Sequence, residues 1–107
     1  MTADDLARLV AKDLAPELGA DIPAKTEAAI SGEQSRSWGA NVSQAVEVGA
    51  FIVHTASLAW DIYKEYRDTA KVREFVVADA KPPAGVSKEK AEMIVNSVIE
   101  NLPKTES

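Results

Sequence analysis

The 107-residue chain contains no cysteine. That excludes a disulfide framework, a thiol nucleophile and any cysteine-based metal site. It contains one histidine, His54, so no pair of histidines at helical spacing exists to hold a metal. No P-loop, GxGxxG or EF-hand spacing occurs, and there are no internal repeats or long low-complexity runs. Excess positive charge is also missing. The formal net charge is −5, which argues against a nucleic-acid surface, since that would need a basic face. A bilayer span takes about 20 mostly apolar residues. The uncharged stretch Val48–Trp60 is shorter, is bracketed by Glu47 and Asp61, and carries His54 in its middle.

What is present reads as helix. At this length the chain is one domain at most, with a modest core, and its apolar fraction of 46% is ordinary for a globular protein. The segment from Asn41 to about Arg67 is the centre of the pattern. Asn41 followed by Gln44 fits a capping box. Glu47, His54, Asp61 and Asp68 recur every seven residues, with Ser57, Lys64 and Glu65 between them. At about 3.6 residues per turn they form one narrow polar stripe. The rest of the circumference is apolar, well beyond the arc of about 100° that a surface helix needs. A central helix over 41–70 is expected, buried in a bundle or shared with a partner. Ala45, Gly49, Ala56 and Ala59 are small, so they admit the close approach of another helix, from this chain or from a partner. Phe51, Ile52, Val53, Trp60 and Tyr63 complete the candidate interface, with the aromatics as its anchors.

The flanks complete an all-α domain, a small helical bundle of about four helices around the long central one. Thr2 with Asp5 resembles a helix start, with acids in the first turn where the macrodipole favours them. Leu6, Leu9, Val10 and Leu14 make one stripe of a helix over 3–19, with Gly19 as its stop. Pro16 is expected to oppose continuation of that helix. Residues 20–40 read as loop with a short helix over Ala24–Ile30, and Ser31–Ser37 is loop by composition. Trp38 stands just before the central helix, as a packing staple or a binding anchor. Beyond Tyr66 the chain becomes charged, with ion-pair spacing between Lys64 and Asp68. Val72, Phe75 and Val76 continue the helix on a drifted face, or Val72–Ala78 is a short extended segment. A continuous helix from Val42 to Asp79 would be about 57 Å long, too long for a compact domain of this size. Either it breaks near Thr69 or its end projects. Residues 81–86, with Pro82 and Pro83, are a linker. Ser87 then caps a C-terminal helix over 87–102 whose apolar face is Ala91, Ile94, Val95, Val98, Ile99 and Leu102.

The chemistry is sparse. The residues three and four positions from His54 are Ala50, Phe51, Ser57 and Leu58. None is a carboxylate, and Glu47 and Asp61 lie about 10 Å away along the axis. A general base would have to recruit its acid from another helix. We therefore expect a non-enzymatic protein without a cofactor. His54 is expected on the wet stripe, with a pH-sensitive interface role as the alternative. The acids in Met1–Val10, where a signal peptide has bases, lead us to expect a cytoplasmic protein.

The segment VGAFIVHTASLAWDIYKEYRD, followed after the linker by EKAEMIVNSVIENL, resembles the helical partner or adaptor modules of bacterial conflict (defence) systems. The matching residues are Ser57, Ala59, Trp60, Ile62 and Tyr63. The resemblance implies an interaction role, through a homo-oligomer or a larger protein partner. Two other classes stand beside it. One is a membrane-active effector that inserts Val48–Trp60. The other is a small acidic immunity or antitoxin protein, whose complex would be strongly salt-dependent.

Overall fold

We analysed a computed structural model, which describes residues 2–31 and 44–103. The described residues form five α-helices and no strand. They are α1 (Ala3–Leu18), α2 (Ile22–Ser31), α3 (Gln44–Tyr66), α4 (Thr69–Asp79) and α5 (Lys88–Asn101). The all-α class stands, but the count is five rather than four because the long central helix ends early and α4 is a helix of its own. The extended alternative for Val72–Ala78 is overturned by α4. Asn41, Trp38 and most of Ser31–Ser37 lie outside the described residues, and with them the capping box and the staple.

Local chemistry sets the helix ends. Thr2 Oγ1 accepts from the Asp5 N–H (3.1 Å), and Asp5 Oδ2 accepts from the Thr2 N–H (3.2 Å), a reciprocal box that satisfies two donors at the start of α1. Helix α1 runs through Pro16 and stops at Leu18, just before Gly19. Pro16 falls in the last turn and is exposed, so it removes one backbone bond near an end rather than breaking the interior. Gly19 follows at φ 135°, and its N–H bonds the Ala15 carbonyl at 2.9 Å. Helix α2 begins at Ile22, earlier than expected, with Pro23 tolerated in the first turn. It buries Ile22 and Thr26.

The break between α3 and α4 lies at Arg67 and Asp68, just before Thr69. Arg67 adopts φ 55°, the left-handed turn that commonly ends helices, and its N–H bonds the Tyr63 carbonyl at 2.8 Å. Asp68 then caps α4, its Oδ1 accepting from the Ala70 N–H at 2.9 Å. Lys64 accordingly pairs with Asp61 (3.6 Å) rather than with Asp68, which is spent as a cap.

The core is built from one stripe of each helix. Leu6, Val10 and Leu14 of α1 meet Ile22 of α2, Ile52 and Phe51 of α3, Val72 and Val76 of α4, and Ile94 and Val98 of α5. Val86, just ahead of α5, is also buried, so the proline linker is anchored at its end. Polar contacts tie the outer helices. Ser97 Oγ donates to Asp13 Oδ2 (2.9 Å), joining α5 to α1. The Tyr63 hydroxyl donates to the Pro103 carbonyl (2.7 Å), joining α3 to the segment after α5. Arg8 of α1 reaches Glu27 of α2 as well as Asp5 (3.2 Å). The Glu27 hydrogen bond and its charge raise the Arg8 pKa, but the pair is exposed and contributes little stability. Thr26 and Thr55 bury their hydroxyls without a hydrogen-bond partner among the described residues, at a cost of roughly 1–3 kcal/mol each.

The Arg67 geometry makes a direct prediction. Arg67→Gly and Arg67→Ala lose the same guanidinium, which sits 5.7 Å from the centre of the Tyr63 ring. Only glycine takes the left-handed conformation without a Cβ penalty, and its larger unfolded-state entropy offsets part of that gain. In urea unfolding the glycine variant should be more stable than the alanine variant by about 0.5–1 kcal/mol. Equal midpoints would mean that the turn does not demand a positive φ.

Candidate functional site

The small-residue face of α3 is turned inward, onto this chain. A Cβ built on Gly49 would lie 2.9 Å from the Lys25 carbonyl carbon, 3.0 Å from its oxygen and 3.1 Å from the Thr26 nitrogen. The α2 backbone therefore occupies the groove that Gly49 opens. Ala56 and Ala59 are fully buried, and Phe51, Ile52 and Tyr63 are nearly so. Val53 and Trp60 are half-buried against the same core. Ala45 sits in the first turn of α3. The residues expected to form an association face are, in the single chain, largely enclosed by α1, α2, α4 and α5.

Trp60 and Tyr63 stack with centroids 5.8 Å apart. Tyr63 works as an internal tether, since its ring is buried and its hydroxyl is spent on Pro103. His54, Ser57, Asp61, Lys64 and Glu65 are exposed, which gives α3 one wet stripe. Among the described residues no group of three His, Cys, Asp or Glu side chains gathers into a metal site. No helix among them is long and apolar enough to cross a membrane. Helix α3 has 23 residues, but its polar stripe interrupts the apolar surface.

The apolar surface that does reach solvent lies mostly on α4 and its junction with α3. Val77 is 63% exposed, Tyr66 43% and Phe75 36%; Leu9 of α1, at 40%, is the other exposed large apolar residue among those described. Val72 and Val76 are one helical turn apart and face the core, with no exposed area. Phe75 and Val77 fall to either side of that line, so both flanks of α4 are greasy. On the α3 side, Tyr66 stacks on Phe75 with centroids 5.5 Å apart. The Lys71 ammonium sits 5.4 Å from the Tyr66 ring centre. Leu58, Ile62, Glu65 and Asp79 complete a shallow depression there.

On the other flank a groove of about 460 Å³ runs between α4 and α5. Arg73, Val77 and the C-cap Ala80 line one wall. Lys88, Ala91, Glu92, Val95 and Asn96 line the other. Phe51 of α3 and Pro82 of the linker close the floor and one end. Arg73 Nη1 donates to Asn96 Oδ1 (2.6 Å) across the groove. The volume falls within the usual range for ligand clefts, and the ionisable side chains lining it are Arg73, Lys88 and Glu92.

Phe75 and Val77 were absent from the expected interface. Their signal was nevertheless in the sequence. Val72, Phe75, Val76 and Val77 span more of a helical circumference than one buried stripe can use, so a short helix here had to expose some of them. Comparison with family models, with curated proteins and with solved structures gave no match to this chain.

The Gly49 contact separates two opposing effects. Glycine to alanine inside a helix gains about 1 kcal/mol of propensity. Overpacking against an immobile neighbour costs about 1–3 kcal/mol, and the neighbour here is backbone. Gly49→Ala should therefore be destabilised in denaturant unfolding, and Gly49→Leu more so. A stabilised alanine variant would show that α2 does not press on Gly49.

Proposed function

We propose that this chain is a non-enzymatic protein-interaction module whose docking surface runs along α4, on its two apolar flanks, rather than along the small-residue face of α3. The observation that carries the reading is the exposure of the stacked Tyr66–Phe75 pair on one flank of α4, with Val77 exposed on the other. Large apolar residues scattered singly over a surface need no explanation, whereas a cluster marks an interaction site. Full burial of a side chain of this size contributes about 1.5–3 kcal/mol, and a partner gains the part of it that the exposed fraction of Tyr66, Phe75 and Val77 leaves. Ser57, Ala59, Trp60, Ile62 and Tyr63, which resemble partner modules of bacterial conflict systems, support a cytoplasmic partner from such a system.

Site-specific photo-crosslinking in the native cell tests the reading. A photoreactive side chain at position 75 or 77 should give a discrete protein adduct. The same group at Asp4 or Lys12, both exposed on α1, which packs on α2, α3 and α5, should not. Adducts from all four positions alike, or from none, would remove α4 as the docking surface.

A further inference from the structure

The groove between α4 and α5 has the form of a helix-packing site from which one helix is missing. On the α5 wall the lining positions 88, 91, 92, 95 and 96 follow the i, i+3, i+4, i+7, i+8 order of a single helical stripe. On the α4 wall, Arg73, Val77 and Ala80 follow i, i+4, i+7. Two helices thus turn a regular stripe toward the same gap, with Phe51 beneath it. Along α5 the stripe covers two turns, about 12 Å, which matches the reach of anchors spaced i, i+3 or i+4, and i+7 on an incoming helix.

Charge selects the occupant. Residues 67–90 carry six basic side chains (Arg67, Lys71, Arg73, Lys81, Lys88 and Lys90) against four acids (Asp68, Glu74, Asp79 and Glu89). That is a net of +2 within a chain whose net charge is −5. At the groove itself, Arg73 and Lys88 stand at the rim, and Lys81 precedes Pro82. Among the described residues none of these three has a carboxylate within ion-pairing distance. Glu92, on the α5 wall, is the one acid lining the groove. A two-fold dimer across the groove would bring together two copies of a lining whose charged residues, Arg73, Lys88 and Glu92, are net positive. Like charges so placed oppose association.

We infer that the α4–α5 groove receives an acidic amphipathic helix of another protein. Its aliphatic residues lie over Phe51, Val77, Ala91 and Val95. Its carboxylates lie toward Arg73, Lys81 and Lys88 and away from Glu92. This inference rests on the interaction reading above and names the partner's chemistry at one flank of α4.

The probe is a displayed library of 16-residue helices with fixed leucines at spacing i, i+4, i+7 and i+11, and with the other positions drawn from Asp, Glu, Lys, Arg, Gln and Ser. It is selected on the intact protein, and the enriched peptides are synthesised for affinity measurement. The expected outcome is enrichment of net-acidic helices whose Kd rises at least about tenfold, a factor worth roughly 1.4 kcal/mol, for Val77→Asp and for the double variant Arg73→Glu with Lys88→Glu. Binding should also weaken as salt is added. Val77, Arg73 and Lys88 are exposed, so these variants should keep the wild-type circular dichroism, with the melting temperature lowered only slightly by loss of the exposed Arg73–Asn96 hydrogen bond. Enrichment of basic or neutral helices, or of none, overturns the inference. Acidic helices whose binding is lost on Phe75→Asp but kept on Val77→Asp also overturn it, while leaving α4 as an interaction helix on its other flank. A dimer in light scattering that dissociates on Val77→Asp assigns the groove to a second copy and overturns the acidic partner.

Discussion

The close approach of α2 to α3 at Gly49 is the contact on which the remaining packing depends. With the Lys25–Thr26 backbone about 3 Å from where a Cβ would stand, α2 lies nearer to α3 than side chains normally allow. That proximity lets a ten-residue helix with only Ile22 and Thr26 fully inside close one side of the central helix. It succeeds because glycine yields the space at the contact point. The cost of a mid-helix glycine, about 1 kcal/mol against alanine, is offset by the apolar surface that α2 then covers.

Once α2 has closed that side, the remaining surface of α3 is shared among the other helices. Helix α1 buries Leu6, Val10 and Leu14 with it, α5 adds Ile94 and Val98, and α4 folds back after the Arg67 turn to add Val72 and Val76. Tyr63 fastens the far end through Pro103. What is left to solvent on α3 is mostly the polar stripe through His54 and Asp61. The apolar excess of the chain has thus been displaced outward, to the flanks of α4. That helix has 11 residues, enough to cover the end of the core but with only one stripe buried. The proposed interaction surface is in this sense a consequence of how the core was closed.

Features carried by local chemistry were legible in the sequence. The Thr2–Asp5 box, the Ser87 cap with the α5 stripe, and the polar stripe of α3 depend on residues within one or two turns of each other. The break after α3 was legible as one of two alternatives, because length alone required it; a positive φ at an arginine carries no sequence signal. The small-residue spacing of α3 was legible as a close-approach face, but the same spacing serves an α2 of this chain or a helix of another. Nothing at Gly49, Ala56 or Ala59 names the chain that fills the groove. The α4 flanks were missed because Val72–Ala78, with its β-branched residues, fits a strand and a helix equally well over so short a run. Once the run is a helix some of its apolar residues must be exposed, and which ones follows from where α3 and α5 leave α4.

Native-state hydrogen exchange on the dilute protein tests the central claim, that α3 is enclosed by its own chain. The account predicts that amides from Ile52 to Ala59 exchange only by global unfolding, at rates that do not change with protein concentration. Fast exchange in that segment when dilute, with protection growing as concentration rises, would contradict it. The apolar face of α3 would then be closed by association instead.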